Sequence, residues 1–98
     1  MKGILIEPGK APVVTTLPDT LQGIEAMLGC DCTQKVLPRT PAVLVYGLLG
    51  KGLNRIYRGQ NIYGTILCYG WKNNSLVPMS KDLQAEMLDR LKEMEVRV

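Results

Sequence analysis

The sequence predicts an α+β fold: two helices on a small mixed or antiparallel sheet of about five strands, in the order β-β-α-β-β-β-α. Three observations carry this expectation. Short apolar, β-branched runs alternate with Pro and Gly turn signals, one segment of helical period lies near residue 20, and another closes the chain. The 98 residues make one domain, spanning 1–98, with a modest core for its surface.

Residues 3–7 (GILIE) form a short apolar run ended by Pro8-Gly9, a strong turn signal. Residues 12–16 (PVVTT) are β-branched and suit a second strand, so a hairpin joins the two. Pro12 cannot donate to a ladder and belongs at the strand's start or on an edge. A helix follows, with Asp19 expected as N-cap and Gln22 in the capping-box position. Leu21, Ile24 and Leu28 have helical spacing, and Gly29 closes the helix in the left-handed conformation. Gly23 inside it costs about 1 kcal/mol against alanine. Either a close neighbour needs that space or the helix depends on packing to exist.

Residues 30–37 (CDCTQKVL) read as a weaker third strand, stopped by Pro38 and Pro41. Residues 42–46 (AVLVY) are apolar on both faces, the mark of a buried, central strand. A glycine-rich loop with Leu48 and Leu49 follows at 47–52. Residues 62–69 (IYGTILCY) are expected to form one continuous strand, with Gly64 marking a bulge or a close approach. Residues 71–78 read as a loop containing Asn73-Asn74 as turn material. Ser80 caps the last helix, Asp82 complements its dipole, and Leu83, Met87, Leu91 and Met94 make its apolar stripe.

The apolar run near the N-terminus is too short for a signal-peptide core, and none approaches the ~20 residues of a membrane span. A cytoplasmic protein without a membrane partner is expected. Cys30, Cys32 and Cys68 are odd in number, and with no histidine they do not complete a familiar zinc set. Reduced, partly buried thiols and no bound metal are expected.

The absence of histidine also removes Ser-His-Asp and Cys-His catalysis. Glu7, beside Pro8-Gly9, is the one acid placed like an active-site group, and a capped strand end explains it equally well. The glycine loops match no cofactor fingerprint. Gly50-Lys51 is followed by Gly52 where a Walker loop needs Ser or Thr, and Arg55 occupies the last glycine of a dinucleotide motif. No cofactor and no catalytic residue are assigned.

What remains is residues 50–78. They carry Lys51, Arg55, Arg58 and Lys72 with no acid, while the net charge of the whole chain is +3. They also hold Tyr57, Tyr63, Tyr69 and Trp71, so only Tyr46 among the aromatics lies elsewhere. Clustered cations steer anions, arginine forks bind phosphate, and aromatic faces stack on bases. Against this, a chain without Phe can use its tyrosines for packing, and loop cations are often merely solvated. The absence of acids favours ligand binding, with Lys51, Asn54, Arg55, Tyr57, Arg58, Tyr63, Thr65 and Trp71 as the candidate residues.

The opening Met1-Lys2-Gly3-Ile4-Leu5-Ile6-Glu7-Pro8-Gly9-Lys10 resembles that of a family of short proteins, a domain of unknown function encoded by bacteriophages, plasmids and mobile elements. Asp19-Thr20-Leu21-Gln22, Leu53-Asn54-Arg55 and Ile62-Tyr63-Gly64-Thr65 resemble its later blocks. The resemblance implies a mobile-element setting in a bacterial cell and no reaction. A small phage-type protein with a cationic, aromatic segment suits sequestration of a nucleotide immune signal of the host, an expectation by analogy. Binding of nucleic acid and inhibition of a host protein are the alternatives. A core this small would gain from self-association, so a homo-oligomer is expected, with Leu48-Leu49 as a candidate interface.

Overall fold

The computed structural model describes residues 1–95, so the last three positions of the expected domain lie outside the described residues. The elements are β1 (Lys2–Ile6), β2 (Val13–Thr16), α1 (Leu21–Leu28), β3 (Cys32–Val36), β4 (Ala42–Gly47), β5 (Leu53–Tyr57), β6 (Gln60–Tyr63), β7 (Ile66–Lys72), β8 (Ser75–Val77) and α2 (Lys81–Glu93). Five strands form an antiparallel sheet in the order β2-β1-β7-β4-β3, and β8 pairs with the far end of β7. β5 and β6 make a separate two-stranded hairpin.

The alternation of side chains along the strands divides the core in two. Val43, Val45, Leu67 and Tyr69 point to one face, where they pack with Leu17 and with Ile24 of α1. Leu44, Tyr46, Ile66 and Cys68 point to the other, against Met87 and Leu91 of α2 and Tyr57 and Ile62 of the hairpin. The sheet is therefore a middle layer. One helix covers its first face, and a helix beside a hairpin covers its second.

The expected order is found, with strands added to it. The single strand expected over 62–69 is two strands, because Gly64 (φ +77°) lets the chain leave the hairpin layer and enter the sheet at Ile66. The backbone crosses itself there. A Cβ on Gly64 would lie 2.8 Å from Gly50 Cα, and Gly64 N–H donates to Gly52 O at 2.8 Å. The loop expected over 71–78 is a β-hairpin, whose Asn73 and Asn74 both have positive φ between the paired Lys72 and Ser75. That is the two-residue turn whose twist matches its strands.

The α1 cap also differs from expectation. Thr20, not Asp19, is the N-cap, and its side chain accepts from Gly23 N–H at 3.1 Å. Gln22 is then one position too early to close a capping box. Gly23 is required by space, since a Cβ would lie 2.9 Å from Pro18 Cβ. Gly29 (left-handed) and Ser80 cap as the sequence predicts. β4 is interior and buried throughout Ala42–Tyr46. Among the described residues, no helix is long and apolar enough to cross a membrane.

Candidate functional site

Asn54 and Arg55 are each only 2% exposed. A β-bulge between Leu53 and Arg55 turns both side chains inward. Asn54 Nδ2 donates to Ile6 O at 2.9 Å and to Gly64 O at 2.7 Å, tying β5 to the sheet and to the backbone crossing. Arg55 Nε donates to Leu91 O at 3.0 Å in the last turn of α2, and its Nη1 donates to Asn54 O and Oδ1. A cation there also suits the negative end of the helix dipole. Burial pushes the Arg55 pKa down, and the Glu95 carboxylate opposes the shift. The pair expected at the centre of a ligand site thus fastens the hairpin to both its neighbours, with Asn54 and the Nε and Nη1 of Arg55 engaged inside the protein.

The remaining candidates divide among three places. Lys51 and Thr65 share a depression of about 290 Å³ with Pro8, Leu28, Leu49 and the glycine crossing. Trp71 is half-buried in the α1-side core, near the far end of β7. Tyr63, 45% exposed, lies in a cleft of about 330 Å³ on the α2-facing side, together with Thr33, Tyr46, Leu48, Gln60 and Asn61. Lys72, at the β7–β8 turn, is remote from both depressions along the seven residues of β7.

Tyr57 and Arg58 do not line the Tyr63 cleft; Tyr57 pairs across the hairpin with Gln60, which does. Tyr57 is buried, and its hydroxyl has no hydrogen-bond partner. Its ring is flanked by two cations: Arg58 Cζ and Lys35 Nζ each lie 5.7 Å from the ring centroid. Both are within cation–π range. The two charges are no further apart than twice that distance, of the order of the screening length at physiological salt. Lys35 also donates to Gln60 Oε1, and Gln60 Nε2 donates to the Tyr46 hydroxyl at 3.3 Å. Lys35 therefore connects through one amide to the cleft, while Arg58, among the described residues, is held only against the Tyr57 ring.

Arg58 reaches this position at a cost. With Gly59 it forms the two-residue turn of the β5–β6 hairpin, and it sits at φ +50°, where Asn or Gly is favoured. Strain of this kind is often kept where the side chain is needed. Among the described residues the one ion pair is Lys10–Glu7 at 3.9 Å, so neither Lys35 nor Arg58 has a carboxylate partner there. That contact also places Glu7 in the β1–β2 turn, whose Lys10 N–H donates to Glu7 O.

Sequence reasoning missed Lys35, Gln60 and Tyr46. Lys35 belongs to a stretch of balanced charge and joins the hairpin only through sheet pairing opposite Leu44. The period-2 pattern of β3 was its one available signal, because it puts Lys35 and Thr33 on one face. The three thiols are not gathered: Cys68 lies in the α2-side core and Cys32 packs on the opposite one. Burial pushes the Cys68 thiol up to about 12.

Chemically, the arrangement offers two cations and a cleft whose lining carries hydroxyls and amides but no carboxylate. This suits an anion. The chain belongs to the DUF3846 family, a domain of unknown function, which matches residues 1–92. No curated protein and no solved structure matches it.

Proposed function

We propose that the protein binds a small anionic ligand of the nucleotide class without transforming it. In the mobile-element setting that its resemblance implies, it would sequester a nucleotide immune signal of the host. The observation that carries this reading is the pair Lys35 and Arg58, held against one tyrosine ring and lacking a carboxylate among the described residues, with Lys35 tied to the cleft through Gln60. Two cations without a carboxylate partner among the described residues attract an anion from solvent. Phosphate groups would meet Lys35 and Arg58, and the exposed ring of Tyr63 offers a stacking face for a base.

Calorimetric titration with AMP, ADP-ribose and cyclic dinucleotides tests this. Binding should weaken at least tenfold in Arg58→Ala, and the recovered nucleotide should be chemically unchanged by chromatography. If none of these compounds binds at millimolar concentration, the reading fails. Short DNA in the same titration tests nucleic-acid binding, whose affinity would fall steeply with salt.

A protein-binding role is favoured by a different observation. Leu48 and Leu49 are 62% and 77% exposed on the loop that separates the two depressions. Under that reading Leu48→Ser with Leu49→Ser abolishes partner binding or self-association, measured by light scattering, and leaves nucleotide affinity intact.

A further inference from the structure

Gln60 stands between two groups with different demands. Its Oε1 faces Lys35 Nζ, and its Nε2 faces the Tyr46 hydroxyl at 3.3 Å. An ammonium has three donors and no acceptor, so the amide can satisfy it in one orientation only, oxygen toward lysine. The nitrogen must then point at Tyr46 and donate to its hydroxyl oxygen. A hydroxyl that accepts on one side keeps its own proton to donate on another. Tyr46 lines the cleft, and among the described residues its hydroxyl donates to no protein acceptor.

We propose that the Tyr46 hydroxyl donates this proton to a phosphoryl oxygen of a ligand seated in the cleft. Lys35, besides meeting phosphate itself, fixes the direction of that donation through Gln60. The proposal rests on the anion-binding reading and adds to it which atom meets the anion. Three links run in one sense, from ammonium to amide to hydroxyl to phosphoryl oxygen, and each polarises the next. The result is a stronger donor than an isolated tyrosine, in the wall of the cleft.

Asn61 repeats the arrangement: its Nδ2 donates to the Tyr63 hydroxyl at 3.3 Å in the same cleft, which leaves a second proton for the ligand. With no carboxylate in the lining, the cleft offers donors to an oxyanion and little to an amine. The ligand end that fits it is accordingly an oxyanion such as a phosphoryl group.

The test compares AMP with adenosine, which lacks the phosphate, by calorimetry on the wild-type chain and its variants. Tyr46→Phe conserves shape, so its thermal midpoint should change little. It should lose about tenfold in AMP affinity with adenosine affinity unchanged. Gln60 is exposed, so Gln60→Met folds safely and should lower the AMP-to-adenosine ratio in the same direction. Lys35→Arg, another donor-only cation, should keep the ratio, and Lys35→Gln should not. A purely structural role for Tyr46 would shift both ligands together. If Tyr46→Phe keeps the wild-type ratio while Arg58→Ala weakens AMP, the relay is refuted and the anion-binding reading stands. If wild type binds none of AMP, ADP-ribose, cyclic dinucleotides and inorganic phosphate, both are refuted.

Discussion

Arg58→Asn should make the protein more stable and a poorer binder at once. The Arg58-Gly59 turn has φ values of +50° and +78°, between the paired residues Tyr57 and Gln60. A left-handed conformation costs an ordinary residue roughly 1–2 kcal/mol, and asparagine much less because its side chain bonds locally. The chain supplies its own comparison, since Asn73 and Asn74 occupy both positions of the β7–β8 turn, with φ +52° and +59°. Against the relief stands one lost cation–π contact, worth about 0.5–1 kcal/mol at an exposed site. The difference leaves about 0.5–1 kcal/mol in favour of asparagine. For a domain of this size that is a rise in melting temperature of about 4 °C. Urea unfolding measures the stability and AMP titration the affinity, which should fall about tenfold, or about 1.4 kcal/mol. A variant less stable than wild type would refute the strain argument. An unchanged affinity would remove Arg58 from the site.

Other expectations follow from the buried network and the backbone crossing. Gly64→Ala should destabilise by about 2–4 kcal/mol in urea unfolding, combining left-handed strain with a Cβ 2.8 Å from Gly50 Cα; a cost below about 1 kcal/mol would mean that the crossing yields easily. Asn54→Ala leaves two backbone carbonyls and one Arg55 donor without their partner and should cost about 2–4 kcal/mol, whether or not ligand is present. Tyr57→Phe removes a buried hydroxyl that has no partner, so denaturation should find it neutral or about 1 kcal/mol more stable. The hydrogen bond between the Glu25 and Asp31 side chains raises the Glu25 pKa, so the folded protein holds that proton more tightly than the unfolded chain. This contribution to stability is complete below the unfolded-state pKa and is lost as pH rises through the folded one. Glu25→Gln should flatten that part of the pH–stability profile, which urea midpoints across the carboxylate range would measure.

The elements that were legible in the sequence are those whose cause is local. Gly29 ends α1, Ser80 starts α2, and AVLVY fills an interior strand, because caps and continuous apolar runs act within a few residues. Residues 62–69 misled because β6 and β7 keep the same alternation on either side of Gly64, and only pairing with different partners separates them. Asn54 and Arg55 read as ligand-binding candidates in the sequence because nothing local signals the burial of polar side chains. Their burial depends on Ile6 O and Leu91 O, 48 and 36 residues away. Lys35 is the complementary case, a site candidate that only sheet pairing brings to Tyr57 and Gln60. Composition located the hairpin that carries part of the site, but the long-range contacts decide which of its residues remain outside.

β7 pairs on one edge with β1 and β8 and on the other with β4, and Cys68 lies opposite Ile4 and Leu44 at once. The hairpins β1–β2 and β3–β4 form from neighbouring sequence, yet each lacks a common neighbour until the seventh strand is made. During synthesis the first sixty residues thus emerge with two unpaired inner edges, which are open to association with other chains. Closure around β7 has high sequence separation and should be the slow event in folding. Its central amides, paired on both edges, should be among the last to exchange with solvent, so the timing of assembly is set by a strand that contributes nothing to the cleft beside Tyr63.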